Sequence, residues 1–196
     1  MTHEGKSLRL FFALPLGEAG GFLRSVREDL ARFPRILRAV APENYHLTLK
    51  FLGDTADETR RSLVDGFHSL DLGSLPPLPF ILEGLGAFPG SASPRVIWCG
   101  LTLDAAALGI IRSPIEALCS SRGFSGETRP FRPHLTLARL RRNAKPPGEL
   151  AAYLSSREDT RYGESVFDRI VLFRSDLDRQ GPRYTVLAER TLGGSG

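Results

Sequence analysis

Cysteine is scarce in this chain: Cys99 and Cys119 are the only two in 196 residues, and they form neither a C-x-x-C pair nor part of a four-ligand set. That spacing argues against a disulfide-stapled scaffold and a cysteine zinc site, and leaves buried free thiols in a reducing compartment as the expectation. Long apolar runs are missing too. The stretch Leu10-Phe11-Phe12-Ala13-Leu14-Pro15-Leu16 is broken by Pro15 and followed by Glu18 without a small-residue cleavage site, so it reads as a buried strand, not a signal peptide. Nothing approaches the roughly 20 apolar residues that cross a bilayer, and a cytoplasmic location is expected. Neither sign of charge is concentrated in a tail: 26 basic and 22 acidic residues leave a net charge of +4, which excludes a disordered polyelectrolyte arm. Lysine occurs only at positions 6, 50 and 145. The cationic character is therefore arginine, whose planar fork suits phosphate, although a GC-rich genome would produce the same bias.

What is present is an alternation of strand and helix patterns that fits one domain over residues 1–196. Strands are expected at Leu8–Leu14, Tyr45–Leu52, Phe80–Leu85, Arg95–Leu101, Phe131–Leu137, Val166–Phe173 and Arg183–Glu189. Helical spacing links Phe22, Val26, Leu30 and Phe33, and again Leu63, Phe67 and Leu70. A third helix starts at Asp104, a good N-cap, and runs to about Leu118 with Pro114 as a kink or break; a short fourth spans Glu149–Leu154. The glycine-rich tail from Gly193 is expected to fray.

One tetrapeptide occurs twice: His46-Leu47-Thr48-Leu49 returns as His134-Leu135-Thr136-Leu137. Alternate side chains of a strand point to opposite faces, so each copy offers an imidazole and a hydroxyl on one face and anchors itself with leucines on the other. The chain has only four histidines, and two of them fall in these copies. His3, near the start, and His68, on an amphipathic helix, are read as structural or solvent-facing. The repeat implies two pseudo-symmetric lobes, hence an α+β fold with two antiparallel sheets facing a central cleft and helices outside.

These tetrapeptides, with Arg9-Leu10-Phe11-Phe12-Ala13-Leu14, Pro94-Arg95-Val96-Ile97-Trp98 and Arg132-Pro133-His134-Leu135-Thr136-Leu137-Ala138-Arg139, resemble the two-histidine (2H) phosphoesterase superfamily. Within it the chain is most similar to the RNA 2',3'-cyclic phosphodiesterases, also called 2'-5' RNA ligases. The resemblance implies a metal-independent hydrolase, with no cofactor, that opens 2',3'-cyclic phosphates at RNA ends or on nucleosides. By resemblance His46 is the proton donor to the leaving 3' oxygen and His134 the proton acceptor from water, with Thr48 and Thr136 stabilising the nonbridging oxygens. Histidine's pKa near 6.5 suits such a pair around neutral pH.

Five further residues are candidate substrate contacts. Arg139 matches a family arginine at the substrate, although its odd offset from His134 demands a bulge or strand end to re-aim it. Lys50, at even offset from His46, is placed to reach the cleft. Phe12 and Trp98 are candidate base-stacking residues with core packing as the alternative, and Arg132 is a candidate for a basic rim together with Arg141 and Arg142. The rival readings are another 2H activity, on 2'-5' oligoadenylate or a cyclic nucleotide, and a non-catalytic RNA-end binding module. No metal and no membrane partner are expected, and the chain is read as a monomer.

Overall fold

The computed structural model describes residues 8–126, 130–178 and 181–193. In chain order the elements are β1 (Leu8–Pro15), α1 (Arg24–Leu30), β2 (Leu37–Ala39), β3 (His46–Thr55), α2 (Asp57–His68), β4 (Leu78–Phe88) and β5 (Val96–Leu103). They continue with α3 (Ala105–Ser120), β6 (His134–Leu140), α4 (Gly148–Ser155), β7 (Arg161–Phe167), β8 (Arg169–Asp178) and β9 (Gly181–Thr191). His3 and residues 194–196 of the tail lie outside the described residues.

Every strand pairing among the described residues is antiparallel, in the order β7-β4-β5-β6-β3-β1-β8-β9, with β2 added on β6. The α+β class with antiparallel strands is as expected, but the two expected sheets are one. The two four-stranded halves, β3-β1-β8-β9 and β6-β5-β4-β7, meet through the pairing of Leu47 with Leu135, so they run on as one curled sheet. The halves also exchange strands. After α2 the chain enters the second half as β4, and after β7 it returns to the first as β8.

Apolar faces decide which side of the sheet the helices cover. Leu10, Phe12 and Leu14 alternate along β1 and are fully buried, and Phe12 meets Phe67 of α2 edge-on at 5.1 Å. Leu47, Leu49, Leu135 and Leu137 join the same continuous core. Asp104 caps α3 as expected, accepting from the backbone N–H of Ala106 at 2.8 Å and of Ala107 at 3.2 Å. The helix runs on through Pro114; the carbonyl left without its amide belongs to Ile110, whose residue faces solvent, so water can satisfy it. Residues 161–178, read as one strand from Val166, form two, because the chain leaves β4 at Asp168 and goes on to pair with β1 in the other half, and β7 is a polar edge strand. Both cysteines are free and buried, and burial pushes each thiol up to about 12.

A matched pair of β-bulges shapes the cleft. Ala13 pairs with Thr48 but Phe12 with Lys50, which leaves Leu49 as an extra residue; Trp98 pairs with Thr136 but Ile97 with Ala138, which leaves Leu137 extra. Beyond each bulge the alternation of side chains is inverted. Lys50 and Ala138 turn into the core, and Phe51 and Arg139 emerge exposed on the histidine face. The bulge demanded by Arg139's odd offset is present, and the same device in the other copy removes Lys50 from the position its even offset implied.

Phe12 is thus a core residue, not a base-stacking one. Phe12→Ala should cost about 3–5 kcal/mol of unfolding free energy, measured by denaturant titration, and a loss under about 1 kcal/mol would contradict its placement against Phe67.

Candidate active site

Both imidazoles are held in the same way. His46 Nδ1 lies 2.7 Å from the backbone oxygen of Asn44, and His134 Nδ1 lies 2.7 Å from that of Arg132, in each case two residues earlier in the chain. A carbonyl only accepts, so Nδ1–H donates, and the neutral ring carries its lone pair on Nε2. Each ring is therefore oriented by its own strand entry. Because Leu47 stands opposite Leu135 in an antiparallel pair, His46 is registered beside Thr136 and Thr48 beside His134. The four residues form a cross-strand square on the face opposite the leucines.

The two corners differ in surroundings. His46 sits among Phe11 (centroids 4.9 Å apart), Tyr184 (5.4 Å, edge-on) and Phe173 (6.4 Å). That enclosure pushes its pKa down to about 4, and the bond to the Asn44 oxygen only partly opposes it; repulsion from Arg139 and His134 adds to the lowering. His46 is accordingly neutral at pH 7 in the free protein. The aromatic neighbour of His134 is Phe88, edge-on at 5.0 Å. Beside it opens a cleft of about 580 Å³ whose walls include Thr48, Phe51, Phe88, Phe131, Arg132 and Arg112.

The structure brings together His46, His134, Thr48 and Thr136, with Arg139 near enough to His46 to repel its proton and Arg132 exposed on the cleft rim. Lys50 departs from expectation. It borders the cleft, but only 7% of it is exposed, and its ammonium is held by Glu116 Oε2 at 2.8 Å and the Ser125 backbone oxygen at 2.7 Å. Trp98 is also indirect. Its ring covers Gly86 so closely that a Cβ there would lie 2.2 Å from it, borders a separate crevice of about 210 Å³, and braces Phe88 at 5.4 Å. His68 is exposed at the end of α2, as expected.

Sequence reasoning missed the aromatic enclosure. Phe11, one residue from the proposed Phe12, is the ring that meets His46, and the alternation through Arg9 was the available signal. Phe173 and Tyr184, brought to the site by β8 and β9, carried none. Among the described residues, no three or more His, Cys, Asp or Glu side chains gather as a metal site, and no helix is long and apolar enough to cross a membrane.

Comparison with known proteins gives the family. The family model for LigT like phosphoesterases matches residues 17–98 and 104–184, each stretch holding one tetrapeptide. The chain belongs to this family. The RNA 2',3'-cyclic phosphodiesterase of Aeropyrum pernix is 34% identical to it, over 90% of this chain and 98% of its own. A crystal structure of a Thermus thermophilus protein superposes with a TM-score of 0.77 at 28% identity, covering 96% of this chain and 100% of that one. The structure of E. coli LigT complexed with 3'-AMP gives 0.70 at 25% identity, covering 95% and 98%. The chain is a phosphoesterase of the 2H type and a hydrolase.

The depressed pKa of His46 has a stability consequence. An unfolded His46 binds its proton near pH 6.5 and the folded one near 4, so its contribution is fully present above about pH 6.5 and is lost as pH falls towards 4. In an NMR titration of the ligand-free protein the His46 ring should stay neutral until about pH 4, and a midpoint near 6.5 would rule out the enclosure described here.

Proposed function

We propose that the chain hydrolyses 2',3'-cyclic phosphates at RNA ends to 2'-phosphomonoesters, by metal-independent acid–base catalysis at His46 and His134. The observation that carries this reading is the cross-strand square, in which two identically tethered imidazoles each stand beside the other copy's threonine. The names of the curated relatives support the substrate class, since the homologues from Aeropyrum pernix and Methanocaldococcus jannaschii, 34% and 32% identical, are RNA 2',3'-cyclic phosphodiesterases.

Opening the ring in line requires a base on one side of phosphorus and an acid on the other. His134 Nε2 takes a proton from water as the water oxygen bonds to phosphorus; the bond from phosphorus to the 3' oxygen breaks, and His46 supplies that oxygen with a proton. Thr48 and Thr136 donate hydroxyl hydrogen bonds to the nonbridging oxygens, where charge gathers in the transition state. Arg139, on the histidine face, binds the same end of the substrate electrostatically. His46 can carry a proton at neutral pH only with an anion beside it, and the substrate's phosphodiester is that anion. With a 5'-hydroxyl attacking phosphorus in place of water and the 3' oxygen leaving as before, the same pair forms a 2'-5' bond, a weak side activity.

The low basicity of His46 in the free protein favours a second reading with the roles exchanged: His46 as base and His134 as acid. An aryl ester separates the two, because p-nitrophenolate leaves without protonation. The alanine variant that has lost the acid keeps its rate on a 3'-deoxynucleoside 2'-(p-nitrophenyl phosphate), where no neighbouring hydroxyl can replace water as the nucleophile, and the one that has lost the base does not.

With chelator present, adenosine 2',3'-cyclic phosphate should yield the 2'-monophosphate by chromatography. His46→Ala and His134→Ala should each slow turnover by about 10²–10⁴-fold, and Thr48→Ala or Thr136→Ala by about 10–100-fold. Wild-type rates in either histidine variant would overturn the assignment, and dependence on added metal would overturn metal independence.

A further inference from the structure

The cleft beside the square also holds a cationic corner. Arg112, on α3, lines the same cleft as Thr48 and His134. Its guanidinium lies 4.1 Å over the ring of Phe131, and Nη2 reaches Glu116 Oε1 at 3.1 Å. The other oxygen of Glu116 takes the ammonium of Lys50 at 2.8 Å. One carboxylate is thus shared by two cations, which leaves a net positive charge in a confined, largely aromatic corner. Nε of Arg112 is buried with no acceptor among the described residues. A buried donor left unpaired is costly, and a guanidinium fork is shaped for phosphate oxygens.

Resting on the function proposed above, we infer that Arg112 binds the phosphodiester linking the terminal nucleotide to the one before it, so that the protein selects RNA ends of two or more nucleotides over mononucleotides. Spacing fits this ligand. The guanidinium lies over Phe131, three residues from His134 and therefore within about 10 Å of it along the chain, close enough for one ligand to touch both. The cleft volume of about 580 Å³ leaves room beside the reacting nucleotide. Phe51 lines the same cleft and is 54% exposed; Arg9 lies 5.4 Å over its ring, and the ring's other face is offered to the preceding base. Glu116 takes no part in binding: it holds Arg112 and Lys50 apart while leaving the corner one positive charge in excess.

The test compares kcat/KM for three substrates: adenosine 2',3'-cyclic phosphate, the dinucleotide ApA ending in a 2',3'-cyclic phosphate, and the same dinucleotide with an uncharged methylphosphonate linkage. The wild type should prefer the charged dinucleotide over the neutral one by about 10-fold or more, through KM, because hydrogen bonds to ionised groups are the stronger ones. Arg112→Gln should bring that ratio close to one. If Arg112 only braces Phe131, the variant lowers both dinucleotides alike and leaves the ratio intact, which overturns the inference. If Arg112→Gln does not fold, equal wild-type rates on charged and neutral linkages overturn it equally well, and a clear preference sustains it. Turnover of the mononucleotide reads the proposed function by itself: its presence with equal rates on both dinucleotides sinks only the subsite, and no turnover of any cyclic end sinks both.

Discussion

Leu47 opposite Leu135 is the contact on which the rest of the site depends. Among the described residues it is the pairing that joins the two halves of the sheet, and it decides which residues of the two tetrapeptides face each other. A slip of one residue on either strand would turn a histidine into the core and a leucine into the cleft, because side chains alternate with period two. Burial of the four leucines opposes that slip, since each would lose the transfer free energy of a core side chain. The hydrophobic pattern therefore does two things at once: it packs the sheet onto its helices, and it sets the register in which two imidazoles and two hydroxyls share one face.

The bulges after each Thr-Leu step extend that control by two residues. A regular strand would have sent Lys50 and Ala138 to the cleft; with one residue added in each strand, Phe51 and Arg139 arrive instead. The duplicated backbone thus presents a ring on one side and a guanidinium on the other. A similar divergence separates the histidines. Both are tethered through Nδ1 to the carbonyl two residues back, yet His46 is walled in by rings from β1, β8 and β9 while His134 has Phe88 beside an open cleft. Identical local geometry thus stands in unequal surroundings, and at His46 the enclosure favours the neutral ring.

Legibility in the sequence followed the range of the interaction concerned. The repeated tetrapeptide identified the four central residues, because a doubled polar pattern on a leucine-backed strand is a local signal. The helices and seven of the strands were readable for the same reason, from caps, turns and periodicity, whereas the short β2 and the separate polar β7 were not. Arg139 was assigned with its bulge as a requirement, and the bulge is there; Lys50 was misplaced because nothing local says that the first copy bulges as well. Phe12 was chosen over Phe11 although the two differ only in which face of β1 they occupy, and that is settled by the core on one side and by His46 on the other. Trp98 has the right face of β5 but meets Gly86 and Phe88, a contact made across β4.

What the sequence determined by itself, then, is the chemistry available: two imidazoles, two hydroxyls, an arginine-rich complement and an alternation that puts leucine behind histidine. Such facts depend on neighbours within a few residues, where the period of a strand or helix dictates direction. Tertiary structure alone decided how that chemistry is poised. The enclosure of His46, the retirement of Lys50 onto Glu116, and the placing of Arg112 in the same cleft as His134 all depend on residues distant in the chain. Contacts of that kind are set by how strands from both halves interleave in one sheet, and no local period encodes that.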